Sequence, residues 1–284
     1  ENMVNKKFIK QVSIIPYYLL LGIWALSAII MFLWVVNTSL KSDSEILVNL
    51  WGLPKDGVQW VNYLQTWNVF HLGAYMRNSL VIGVASVFLT LMIGVPASYV
   101  IARYHFRLKQ FVYFLFVGGL AVPRALLVIP IFLLMRDLSL INKTSGIILI
   151  YVVMALPFTI LFLVPFFSSL PSELEDAAAV DGANEFQTVT RVMLPLATPG
   201  LITIAILNFI DTWNEFLLAY VLLLDREKHT VSIGLYNLYA SMRWSQNWVG
   251  MFAGVVMIVM PILLVYVVFS RRIVSGITMG AVKG

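Results

Sequence analysis

Six long apolar runs dominate the chain, at Ile14–Val36, Leu80–Ala102, Phe111–Met135, Gly146–Phe167, Leu201–Leu224 and Trp248–Phe269. Each exceeds the roughly 20 residues that a helix needs to cross a bilayer core. None shows the polar–apolar alternation of a barrel strand. The pattern predicts an all-α membrane protein with six transmembrane helices in one domain, residues 1–284. The first run is too long for a signal-peptide core and lacks a small-residue cleavage site, so it reads as a span that stays.

Composition agrees with this pattern. Hydrophobic residues make up 60% of the chain and charged residues only 12%, against about 25% charged in soluble domains. That excludes a large soluble helical core. With no cysteine, disulfide and thiolate chemistry are excluded as well. His71, His105 and His229 are too scattered to form a metal motif. The net charge of +5 comes without any basic–aromatic nucleic-acid motif, so lipid is the expected partner and nucleic acid is not.

Basic residues set the orientation. Lys6, Lys7 and Lys10 precede the first span, Arg103, Arg107 and Lys109 follow the second, and Arg271, Arg272 and Lys283 follow the last. Cytoplasmic loops collect such residues, so both termini are expected in the cytoplasm. The opposite-side bases are mixed with acids, as in Asp225–Lys228. The largest outer segment, Asn37–Asn78, carries Trp51, Trp60, Tyr63, Trp67, Phe70 and Tyr75, which suit the headgroup level. Pro96, Pro123, Pro130, Pro157, Pro165 and Pro261 lie inside apolar runs, where each removes a backbone donor and favours a kink.

The loop Pro171–Gly200 differs from the others. It is acidic on the side where Lys and Arg are expected, and its pattern predicts a helix–turn–helix. Ser172 and Glu175 have capping-box spacing, as do Asn184 and Gln187. Gly182 suits a left-handed helix end. Phe186, Val189 and Met193 fall on one face of the second helix, and Pro195 and Pro199 close the unit. A protein partner explains misplaced acids better than a free-standing surface hairpin does.

The run Glu175-Asp176-Ala177-Ala178-Ala179-Val180-Asp181-Gly182-Ala183, followed by Val192-Met193-Leu194-Pro195, resembles the EAA loop of binding-protein-dependent ABC importer permeases. Asp176 stands where that family has Glu, and Val192 where it has Ile. Trp213-Asn214-Glu215-Phe216 and the end, Gly276–Gly284, resemble the signature and tail of MalG-like sugar permeases. The resemblance implies a transmembrane permease of a bacterial or archaeal inner membrane, forming half of a pore for a sugar. Its implied partners are a second homologous permease, two copies of a cytoplasmic ATP-binding subunit and an extracytoplasmic solute-binding protein. Glu175, Asp176, Ala177, Ala178, Asp181, Gly182, Ala183, Leu194 and Pro195 are then expected to couple to the ATPase. Gly280, Ala281, Val282, Lys283 and Gly284 would add a C-terminal contact. The chain has no phosphate-binding loop, so ATP and magnesium belong to the partner ATPase; no catalytic residue, cofactor or metal is expected here.

Span five holds Asn208, Asp211, Thr212, Asn214 and Glu215. At 3.6 residues per turn, Asn208, Asp211, Thr212 and Glu215 share a face. Carboxylates inside a bilayer cost about 2.5–3.5 kcal/mol each on insertion scales, so they turn to a cavity, water or a partner. These five residues are the expected substrate path, with interhelical bonding as the competing role. Arg124, deep in span three, needs a partner such as Asp211 or Glu215. It also keeps open a glycerol-phosphate or other small solute in place of a sugar. An autonomous secondary transporter leaves the EAA loop unexplained. A membrane enzyme using Asp211 and Glu215 lacks a nucleophile or cofactor motif.

Overall fold

The computed structural model describes residues 15–245 and 247–281; the expected tail contacts Val282, Lys283 and Gly284 lie outside them, as do the side chains of Gly280 and Ala281. The regular structure of the described residues is helical, with no strand among them. The helices are α1 (Ile15–Ser39), α2 (Asp43–Val48), α3 (Val61–Val69), α4 (Leu72–Arg103), α5 (Lys109–Ala121), α6 (Arg124–Asp137), α7 (Thr144–Ser169), α8 (Glu173–Val180), α9 (Glu185–Asn214), α10 (Leu217–Leu222), α11 (Val231–Ser245) and α12 (Trp248–Ala281).

The chain packs as two units. One holds the residues up to Phe70 together with Leu238–Met257. Here Lys41 is buried, and its ammonium donates to the carbonyls of Asn49 and Leu50 at 2.6 and 3.2 Å. Asn62 donates to the carbonyls of Ser39 and Lys41. Trp51 and Trp60 remain exposed, as an aromatic headgroup segment would be.

The other unit holds His71–Asn237 and the chain from Ile258 onward. Its centre is the packing of α4 on α7. Ser86, Thr90, Gly94 and Ser98 recur every four residues along α4, and all are buried. Small residues on one helical stripe let two helices approach closely. At Gly94 a methyl group would lie 2.9 Å from Thr159 Cγ2. α9 closes over both helices, with Gly83 against Phe209 and Gly200 against Phe166.

Span three departs from expectation. It is two helices, α5 and α6, meeting at 103°. Pro123 sits at the break in extended conformation, φ −61° and ψ 125°. A proline interior to a helix removes a donor and clashes with the preceding turn, and here the helix stops. α5 lies against α7, and α6 packs on α10. α5 begins just beyond the Arg103 end of α4, and Gly119 meets Pro157 midway along α7. Met135 of α6 belongs to one buried cluster with Ile82 of α4, Ile147 and Ile150 of α7, and Leu218 and Leu222 of α10.

The span-five boundary also shifts. α9 starts at Glu185 and passes through a π-helical stretch, Thr188–Met193. Pro195 falls in the first turn of the α-helical part, where its missing N–H does little harm, so neither it nor Pro199 ends the helix. At the opposite end of this unit, Asn142 takes a positive φ of 59° and ties a loop. Its side-chain carbonyl accepts from the amides of Leu224 and Asp225.

Candidate functional site

Two polar clusters stand out in the larger unit. The first lies on the loop after α7. Gly182 has the predicted left-handed backbone, φ 80°. Asn184 and Gln187 form the predicted capping box, each side chain meeting the other's backbone at 2.9–3.0 Å. Ser172 does not cap. Its backbone is already helical, and Glu175 is drawn elsewhere. Glu175 Oε1 accepts from the Tyr99 hydroxyl at 2.7 Å and lies 3.2 Å from Arg103 Nε. Arg103 also donates to the Leu170 carbonyl at 2.8 Å. Part of the loop's unexpected acidity is therefore answered within the chain. Next to it, Tyr104 faces Glu185. Loss of water and that neighbouring charge both hold its phenol above the ordinary value, so it stays neutral.

Of the other expected coupling residues, Asp176, Ala177, Asp181 and Gly182 are exposed, whereas Ala178 is buried and Ala183 and Leu194 are half-buried. Pro195 is exposed. Val180 and Phe186 are 88% and 76% exposed. The predicted apolar face of the second helix divides, because Met193 is buried and Val189 packs beside it while Phe186 points away. The intervening π-helical stretch, wider than an α-helix, has no signal in a 3.6-residue pattern.

The second cluster lies at the end of α9. Asp211 pairs with Arg124 at 2.7 Å, and both side chains are about half exposed, 51% and 44%. Asn214 is also exposed and Thr212 half-buried. Asn208 is buried and donates to Thr159 Oγ1 at 2.8 Å, bonding one helix to another. Glu215 departs from the expected face. The helix ends at Asn214, and Glu215 is extended, φ −66° and ψ 127°, so the helical period no longer places it. Its carboxylate accepts from the amides of Leu218 and Ala219 at 2.8 and 3.0 Å, the free donors at the start of α10, and from the Tyr151 hydroxyl at 2.6 Å. Glu215 and Phe216 thus form a break between helices, and Glu215 is its tie. Glu215→Ala is expected to cost about 2–4 kcal/mol, since bonds to a charged group contribute about 1.5–3 kcal/mol each and orphaned donors add to the loss. Thermal unfolding of the detergent-solubilised protein checks this, and a midpoint within a degree of the parent would count against the tie.

The arrangement can dock a partner at one end and present an ion pair at the other. Residues 94–278, which include both clusters, match the family model described as binding-protein-dependent transport system inner membrane component. The chain belongs to this family. It is a multi-pass permease subunit of an ABC importer, a transport component and not an enzyme. The permease is 37% identical to the diacetylchitobiose uptake system permease protein NgcG of Streptomyces coelicolor, over 93% of this chain and 87% of that one. It is 34% identical to the trehalose transport system permease protein SugB of Mycobacterium tuberculosis, over 90% and 93%. It also resembles, at 33%, the sulfoquinovosyl glycerol permease SmoH of Agrobacterium fabrum, over 89% and 88%. Its fold matches the crystal structure of a bacterial ABC transporter involved in import of the polysaccharide alginate. That match has a TM-score of 0.77 at 26% identity and covers 92% of this permease and 96% of that chain.

Proposed function

We propose that this permease forms half of the pore for a neutral saccharide and is driven by a separate ATPase docked on the loop Pro171–Gly200. The observation that carries the reading is the outward face of that loop. Asp176, Asp181, Val180 and Phe186 are exposed together, an acidic and apolar surface that no membrane helix requires. Three relatives transport carbohydrate-containing solutes by name, which supports the saccharide. Arg124, the residue that favours a phosphorylated solute, is neutralised by Asp211 at 2.7 Å, and so argues for an uncharged one.

On this reading Arg124, Asp211, Thr212 and Asn214 face the translocation path, while Asn208 and Glu215 hold the helices beside it. A second homologous permease completes the pore, two ATPase copies sit at the cytoplasmic face, and a binding protein delivers solute outside. Six crossings, counting α5 and α6 as one, put both termini on one side, and the Lys and Arg residues beside the first, second and last spans favour the cytoplasm for that side. The tail from Gly280 to Gly284 makes a further ATPase contact. Expressed with its partner subunits, the permease is expected to copurify with an ATPase, and deletion of Ser172–Gly182 is expected to abolish that. Undiminished copurification would sink the docking assignment.

A further inference from the structure

Glu175 sits at a junction of three segments. Tyr99 and Arg103 belong to the last turns of α4, Leu170 caps α7, and Glu175 itself belongs to α8. Tyr99 is buried and packs edge-on against Phe167 of α7, with centroids 5.6 Å apart. Arg103 and Glu175 are only 13% and 25% exposed, so salt screens their attraction less than it would at an open surface. Beneath them lies a crevice of about 260 Å³ lined by Tyr99, Arg103, Glu175 and Glu185. Glu175 is thus turned inward, whereas Asp176 and Asp181 are exposed.

We infer that Glu175 is a positioning residue: with Tyr99 and Arg103 it clamps α8 to the ends of α4 and α7, so that a displacement of the loop is delivered to the membrane helices as a rigid-body motion. This rests on the reading of the loop as the ATPase dock and reassigns Glu175 within it. Asp176 and its neighbours meet the partner, and Glu175 transmits the push. The ion pair is held at both ends by hydrogen bonds, the Tyr99 hydroxyl to the Glu175 carboxylate and the Arg103 guanidinium to the Leu170 carbonyl, and these give it direction as well as distance.

The absence of cysteine allows a direct test in the complete importer, with its partner permease and ATPase. Spin labels at Glu173→Cys and Val100→Cys report the distance from the loop to α4; both positions are exposed, and neither lies on the docking face. With the clamp intact, the distribution is expected to be narrow and unchanged between nucleotide-free and vanadate-trapped MgATP states. In Glu175→Gln and Glu175→Ala it is expected to broaden and to shift with nucleotide, while ATPase copurification stays within twofold of the parent. The reversed pair Arg103→Glu with Glu175→Arg is expected to restore the narrow distribution. The clamp is overturned if the parent distance itself changes with nucleotide, if Glu175→Ala leaves it narrow, or if the reversal fails to restore it. Asp176→Lys separates the two readings: if it leaves ATPase capture intact, the docking assignment fails whatever the labels report.

Discussion

Replacing Gly94 by leucine is expected to destabilise the membrane domain by about 3 kcal/mol or more, at the top of the usual range for overpacking. The reason lies across the helix pair. An added Cβ meets Thr159 Cγ2 at 2.9 Å and Leu156 Cδ2 at 3.5 Å. Leucine at 156 can turn aside, but threonine at 159 cannot. Its hydroxyl donates to the Ala155 carbonyl at 2.8 Å and accepts from Asn208 at 2.8 Å, so rotating it breaks two buried bonds and leaves Asn208 without this partner. The stress thus passes from α4 through α7 to α9. Gly118→Leu is the matched control, because nothing lies within 4 Å of a Cβ there. Unfolding midpoints of the two purified variants should differ by many degrees. Equal midpoints would mean that α4 and α7 do not approach as described.

The second large effect is expected at the ion pair. Asp211→Ala leaves Arg124 without its carboxylate at the start of α6, and uptake of a saccharide by the complete importer is expected to fall at least tenfold. The stability loss should be small by comparison, about 1 kcal/mol, because both groups are half exposed and solvent screens them. That separation of effects distinguishes a path-lining pair from a structural one. Exchanging the charges, Arg124→Asp with Asp211→Arg, should recover part of the uptake by restoring the pair. Trehalose and diacetylchitobiose, each carried by a relative according to its name, are suitable solutes to begin with. If Asp211→Ala transports a solute that the parent transports, at the same rate and with normal assembly, the pair does not line the path.

The sequence carried the spans well, because a bilayer imposes a length that apolar runs must meet. It carried the break in span three poorly. Pro96, Pro157 and Pro165 stay inside helices whereas Pro123 ends one, and no rule for a single residue separates the two outcomes. Chemistry was more legible than position: Arg124 needed a carboxylate, and Asp211 was one of two named. Glu215 was misplaced because a helical period was extended one residue past the end of the helix. The capping spacing at Ser172 and Glu175 was real, but Tyr99 and Arg103 supply stronger partners from 76 and 72 residues away in sequence; a local motif cannot register such a competition. The stripe Ser86, Thr90, Gly94 and Ser98 is legible in the sequence itself. Its interval of four residues marks a helix contact as clearly as any apolar pattern marks lipid.

The elbow at Pro123 has a consequence for biogenesis. α5 and α6 have 13 and 14 residues, each about 20 Å of helix, while the hydrocarbon core is about 30 Å thick. Neither half can be released sideways into lipid as a finished span, because its broken end would expose free peptide groups to hydrocarbon. The segment must stay sheltered until its packing partners, α7 for α5 and α10 for α6, have emerged from the ribosome. Membrane entry of this chain is therefore not strictly one helix after another. Its third crossing waits for segments that follow it.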